Sequence, residues 1–114
     1  MSDHNRSRAI GRRIAAVRQA SGLTQRELAE RMGWPHFSLI NLELGRRGTT
    51  IEKLDAVAAA LGVPPATFLI DDPALAAVVT RLAQEPEALA DVQFFLDARD
   101  DGPPSRDDTS RNKL

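Results

Sequence analysis

Cysteine is absent from this 114-residue chain, which excludes disulfides and thiolate metal sites. Histidine occurs twice, at His4 and His36. That is too few to form a metal centre without cysteine, and no cofactor is expected. No apolar run approaches the ~20 residues needed to cross a bilayer. The polar, arginine-bearing N-terminus lacks the apolar stretch of a signal peptide, so the expected location is cytoplasmic. Enzyme motifs are missing too: there is no P-loop, no G-x-G-x-x-G, no G-x-S-x-G and no H-E-x-x-H. Asp71-Asp72 and Asp100-Asp101 are neighbours only along the chain and read as a helix cap and a tail. The chain is therefore not expected to be an enzyme. Period-two alternation is absent while helix formers abound, which makes the expected fold all-α.

A large excess of one charge is also lacking, since the net charge is −1. The balance hides a division. Residues 1–50 carry nine arginines against four acids, and residues 51–114 carry six bases against twelve acids. A basic half beside an acidic one is the pattern of a nucleic-acid face with a separate acidic region.

The basic half contains Leu23–Arg47, reading LTQRELAERMGWPHFSLINLELGRR. Thr24 and Glu27 have the spacing of a capping box, with Leu23 and Leu28 placed to form a hydrophobic staple. The helix they open is expected to end at Gly33, which can adopt the left-handed conformation. Pro35 suits the first position of a second helix, expected over about Pro35–Leu44 with Leu39 and Leu42 facing inward and Gly45 as its stop. Helix, glycine-containing turn, helix is the layout of a DNA-binding corner.

The combined pattern resembles the phage-repressor (Cro/repressor-type, XRE-like) helix-turn-helix family. The matching residues are Leu23-Thr24-Gln25, Glu27-Leu28-Ala29, Gly33, Ser38, Leu42-Glu43, Gly45-Arg46-Arg47, Ile51, Leu54, Ala58 and Leu61-Gly62-Val63. The resemblance covers roughly Ile10–Leu69 and implies a five-helix, lambda-repressor-like domain. It further implies that the second helix of the corner enters the major groove of double-stranded DNA. By position, His36, Phe37 and Asn41 would face base edges: Asn41 suits adenine, His36 guanine, and Phe37 a thymine methyl. Gln25, Ser38, Arg46 and Arg47 would contact phosphate. Arg18 and Glu43 would form a bridge tying the first helix to the end of the recognition helix. Two features depart from the family: Trp34-Pro35 stands where Ser or Thr commonly caps the recognition helix, and Ile40 and Leu44 replace residues that are commonly polar.

The remaining segments complete the expected layout. Residues 1–7 read as a disordered arm whose Arg6 could lie along DNA, and residues 8–70 as the helix-turn-helix domain. Its first helix is Arg8–Ala20, with Ile10, Ile14 and Val17 inward. Thr49 or Thr50 caps a helix bearing Ile51, Leu54, Val57, Ala58 and Leu61 on its inner stripe, and Thr49 with Glu52 has capping-box spacing. Phe68 and Leu69 are expected to close the core. Residues 72–99 read as a helical hairpin, with Leu75, Val78, Val79 and Leu82 on one helix and Leu89, Val92, Phe95 and Leu96 on the next. Phe94 falls off the second stripe, and Phe94 with Phe95 marks a homodimer surface. Residues 100–114 read as a disordered tail. The function expected is a sequence-specific transcriptional regulator binding a two-fold symmetric operator as a dimer. The alternative is an antitoxin or adaptor whose C-terminal helices hold a partner protein. No membrane partner or small-molecule ligand is expected.

Overall fold

A computed structural model describes residues 3–101, and the side chains from Asn5 onward. Every regular element among them is helical: α1 (Asp3–Ala20), α2 (Gln25–Met32), α3 (His36–Leu44), α4 (Ile51–Leu61), a 3-10 turn (Pro65–Phe68), α5 (Pro73–Gln84) and α6 (Pro86–Asp101). The all-α expectation and the five-helix N-terminal arrangement hold. The chain divides after Gln84 into two units. The first holds α1 to α5 and the second holds α6.

Local chemistry sets the corner of the first unit. Thr24 Oγ1 accepts the Glu27 backbone N–H at 3.0 Å, and Glu27 Oε1 accepts the Thr24 N–H at 2.8 Å, so both halves of the capping box form. The Thr24 backbone N–H first, and the Thr24 side chain second, hold the Glu27 carboxyl below its ordinary pKa. Gly33 ends α2 at φ +73°, a conformation that side chains with a Cβ adopt at a cost. The second corner helix starts one residue later than expected. Pro35 is its N-cap with ψ 142°, and His36 is its first helical residue. At α4 the second of the two candidate caps is the one used. Thr50 is the cap, accepting the Lys53 N–H at 3.2 Å, whereas the Thr49 hydroxyl is enclosed without a partner. The expected Thr49–Glu52 box does not form.

The core is one cluster: Ile10 and Ile14 from α1, Leu28 and Ala29 from α2, Leu39 and Leu42 from α3, Leu54, Val57 and Ala58 from α4, and Phe68. Phe68 is completely enclosed and Trp34 plugs the corner against the cluster. Two expected core residues lie outside it. Ile51 is 73% exposed, because the first residue of α4 projects past the end of the packed stripe, and Leu69 is exposed beyond the 3-10 turn.

The N-terminal arm also differs from expectation. Asp3–Ser7 belong to α1, and Met1 and Ser2 lie outside the described residues. Arg6 does not project as an arm. Its guanidinium bonds Asp71 Oδ1 at 2.7 Å and the Leu69 carbonyl at 2.8 Å. Arg13 donates to the same carboxylate oxygen at 2.8 Å and to the Phe68 carbonyl at 3.0 Å. The carbonyls that follow the 3-10 turn are thereby satisfied by α1. Arg13 first and Arg6 second hold the Asp71 carboxyl below its usual range. The contribution of a carboxylate with a depressed folded pKa is complete above its unfolded pKa and lost as pH falls through the folded value. Asp71→Asn should therefore lower the melting temperature at pH 7. The gap to the unaltered protein should close as pH drops below the ordinary aspartate pKa, in parallel thermal melts.

α5 corrects the expected 72–99 unit, because it groups with the first unit while α6 belongs to the second. Asp72 caps α5 through its carboxylate, which accepts the Ala74 N–H at 2.9 Å. The side turned to the domain is the small, polar one. The Thr80 and Thr67 hydroxyls meet at 2.6 Å, and Gln84 donates to the Gly62 carbonyl at 2.9 Å. Of the apolar stripe, Leu75 and Val78 are exposed, whereas Val79 and Leu82 are half-buried. In α6 no residue is buried. Asp100 and Asp101, read as the start of the tail, are its last residues, and 102–114 lie outside the described residues.

Candidate nucleic-acid interface

The inner side of α3 is fixed before its outer side can act. Leu39 and Leu42 anchor it in the core, and Glu43 is buried beside them. Arg18 grips Glu43 with two bonds, Nε to Oε2 at 2.7 Å and Nη2 to Oε1 at 3.1 Å, while its Nη1 donates to the Leu23 carbonyl at 2.8 Å. Gln25 adds a bond from Nε2 to Glu43 Oε1 at 2.8 Å. One carboxylate thus ties α1, the start of α2 and the end of α3 together. A two-pronged guanidinium–carboxylate contact fixes orientation as well as distance. The bridge inferred from the family likeness is present, and Gln25 is part of it.

Two glycines let the helices meet this closely. A Cβ on Gly11 would run into the backbone carbonyls of Leu42 and Glu43. A Cβ on Gly45 would run into the backbone of Arg8 at 2.6 Å, and Gly45 also has φ +67°. Gly45 was legible as a helix stop but not as a contact. Gly11 escaped notice, although a glycine inside an amphipathic helix is destabilising unless a close approach requires it. The Arg6–Asp71–Arg13 cluster was missed for a related reason: its members are far apart in sequence.

The outer side of α3 carries the expected readers unequally. Phe37 is 61% exposed. Asn41, one turn on and half-buried, shares its face. His36 is half-buried with Nε2 enclosed and unpartnered, so the tip of its ring is turned from the open face. Arg46 folds back on Asn41, its Nη1 donating to Asn41 Oδ1 at 3.3 Å. Phe37, Ser38, Asn41 and Arg47 line a notch of about 410 Å³ that Trp34 and Lys53 help to close. The recess is thus lined by an apolar ring, an amide, the two cations Arg47 and Lys53 and the carboxylate of Glu52, with Arg46 beside it on Asn41. Gln25 stands at the start of α2, where backbone N–H groups and the helix dipole favour an anion.

Residues 14–68 match the family model described as helix-turn-helix. A protein of Sinorhizobium fredii named as an uncharacterized HTH-type transcriptional regulator, y4dJ, is 43% identical over 54 residues, covering 47% of this chain and 70% of that one. The chain belongs to the XRE-type helix-turn-helix family of DNA-binding transcriptional regulators. The crystal structure of the clp gene regulator ClgR from Corynebacterium glutamicum is similar at TM-score 0.55 and 36% identity, covering 76% of this chain and 88% of that one. The matched family region begins at Ile14 and ends at Phe68, so it contains α2, α3 and α4 whole and leaves α5 and α6 outside. No described helix is long and apolar enough to cross a membrane.

Proposed function

We propose that this regulator reads a two-fold symmetric operator as a dimer, laying α3 of each copy in the major groove. The supporting observation is the division of α3 into a locked inner side and an open outer side. Arg18 and Glu43 hold the former, and Phe37 and Asn41 stand on the latter. Asn41 would pair with adenine once Arg46 swings from its amide to a phosphate, and Phe37 would meet a thymine methyl. His36 contributes to base reading only if its ring turns outward. Ser38, Arg46 and Arg47 would hold phosphates, and Gln25 would bring the N-terminus of α2 to the backbone while its amide braces Glu43. Phe94 and Phe95, both exposed on α6, would supply the surface between copies. A regulator of this kind acts where the DNA is, in the cytoplasm.

Selection of bound duplexes from a random pool, followed by sedimentation of the complex, tests this reading. The expected result is a symmetric consensus with half-sites one helical turn apart and two chains per duplex. Failure to enrich any sequence would refute it. Capture of a stoichiometric partner protein that depends on residues 73–114, together with no enrichment, would favour an antitoxin or adaptor. Arg46→Ala should weaken binding to every duplex alike and reduce the salt dependence by about one counterion. A loss confined to one sequence would contradict the phosphate role.

A further inference from the structure

Between α1 and α5 lies a cleft of about 520 Å³, wholly within the first unit. It exists because both helices are small-sided there. α1 contributes Ala16, Val17 and Ala20 to its walls, and α5 contributes Ala76 and Ala77. The Thr80 and Gln84 bonds hold α5 to the segment before it rather than to α1, so the gap stays open. The run from Arg13 to Ser21 along one wall is about 12 Å long, from the helical rise. That size, the mostly apolar wall and the position between helices suit a small organic molecule. The sequence pattern raises no such expectation, because the lining residues come from three separate segments.

The hydroxyls in the cleft choose the ligand's chemistry. Thr80 Oγ1 donates to the Ala76 carbonyl at 2.8 Å and stands 2.6 Å from Thr67 Oγ1. Both contacts are made at once only when Thr67 is the donor in the second. Ser21 gives its proton to the Val17 carbonyl at 2.9 Å. The three hydroxyls that line the cleft therefore have committed protons and offer lone pairs alone. Thr67 is buried, and among the described residues nothing donates to it. The charges in the wall are met already. Asp71 is held by Arg6 and Arg13, and Arg81 stands in the last turn of α5, where it offsets the helix dipole. The geometry points to a binding site for a neutral small molecule with an apolar body and one hydrogen-bond donor, an alcohol or a phenol, whose O–H donates to Thr67 Oγ1. A carboxylate would bring acceptors against acceptors. The site stands independently of how the chain reads DNA.

The probes are n-hexanol, hexanoate and methyl pentyl ether, titrated into the isotope-labelled full chain and followed in amide NMR spectra. Hexanol should shift the amides of Ala16, Ala20, Ala76 and Ala77 to saturation. The ether and hexanoate should each bind at least about fivefold more weakly, the worth of one hydrogen bond. Thr67→Val should remove the advantage of hexanol over the ether and leave the affinity of the ether unchanged. Ala20→Leu and, separately, Ala77→Leu fill the cleft from exposed helix positions. Each should abolish binding of all three probes with little change in melting temperature. Hexanoate binding more tightly than hexanol overturns the ligand class and moves the anchor to Arg81. Shifts that never saturate, or that persist in both filled variants, mark an adventitious additive only and overturn the site. Cleft amides that move on dilution, with hexanol excluded at high protein concentration, give the cleft to a second copy instead.

Discussion

Truncating Glu43 to alanine should lower the unfolding free energy by about 3–5 kcal/mol, the largest effect expected of any single polar side chain in the chain. The substitution removes the common acceptor of Arg18 and Gln25. Arg18, whose side chain is 10% exposed, would keep its bond to Leu23 but lose its counter-charge. A buried cation without a partner is the costly half of a broken ion pair. Urea titration of the full chain measures the loss directly, as a fall in midpoint with little change in slope. The paired control is Arg18→Met with Glu43→Leu. Replacing both charges with apolar groups of similar size should recover most of the stability. DNA binding should recover less than stability does, because the apolar pair packs without fixing the angle of α3. If Glu43→Ala costs no more than an exposed ion pair, below about 1 kcal/mol, the bridge is not what holds α3.

Gly11→Ala should destabilise the domain, against helix propensity. On propensity alone, alanine in a helix interior is favoured over glycine by roughly 0.5–1 kcal/mol. Here the new methyl would enter the carbonyls of Leu42 and Glu43. Those atoms are backbone and cannot rotate away, so α1 must lift from the end of α3. Overpacking of this kind costs typically about 1–3 kcal/mol. The lift would also stretch the Arg18–Glu43 contact, so the loss should fall at the upper end and binding should weaken with it. Gly48→Ala is the control, since a Cβ there meets nothing within 4 Å and the residue has no positive φ. It should leave the melting temperature nearly unchanged. A stabilised Gly11→Ala protein would show that α1 and α3 stand farther apart than described.

These two effects also mark where reading the chain alone succeeded and stopped. The corner was legible because its signals are local: Thr24 with Glu27, Gly33 at the stop and Leu39 with Leu42 lie within a few residues of the atoms they satisfy. The one-residue error at Pro35 and the unformed Thr49–Glu52 box have a common origin. Several adjacent residues could serve as cap, and packing chose between them. α5 was legible as an amphipathic helix but not in its orientation. Periodicity shows that Leu75, Val78, Val79 and Leu82 share a face, not what covers that face, and hydrogen bonds at Thr80 and Gln84 set the helix so that Leu75 and Val78 stand exposed. Gly11 and Asp71 depend on partners more than thirty residues away, which no short window contains. The Arg18–Glu43 pair spans 25 residues and became legible only through the family likeness. Within the interface, exposure of Phe37 followed from the stripe opposite Leu39 and Leu42. The inward turn of the His36 ring and the Arg46–Asn41 bond are side-chain choices that the pattern does not encode.

The most direct measurement is a complete panel of single-base changes across the selected half-site, bound by the unaltered chain and by Asn41→Ala. If α3 reads bases in the major groove, Asn41→Ala should erase about 1–3 kcal/mol of discrimination at one base pair of each half-site and leave the ranking at the other positions intact. The same loss at every position, or an unchanged panel, would contradict the claim that the outer side of α3 selects the sequence.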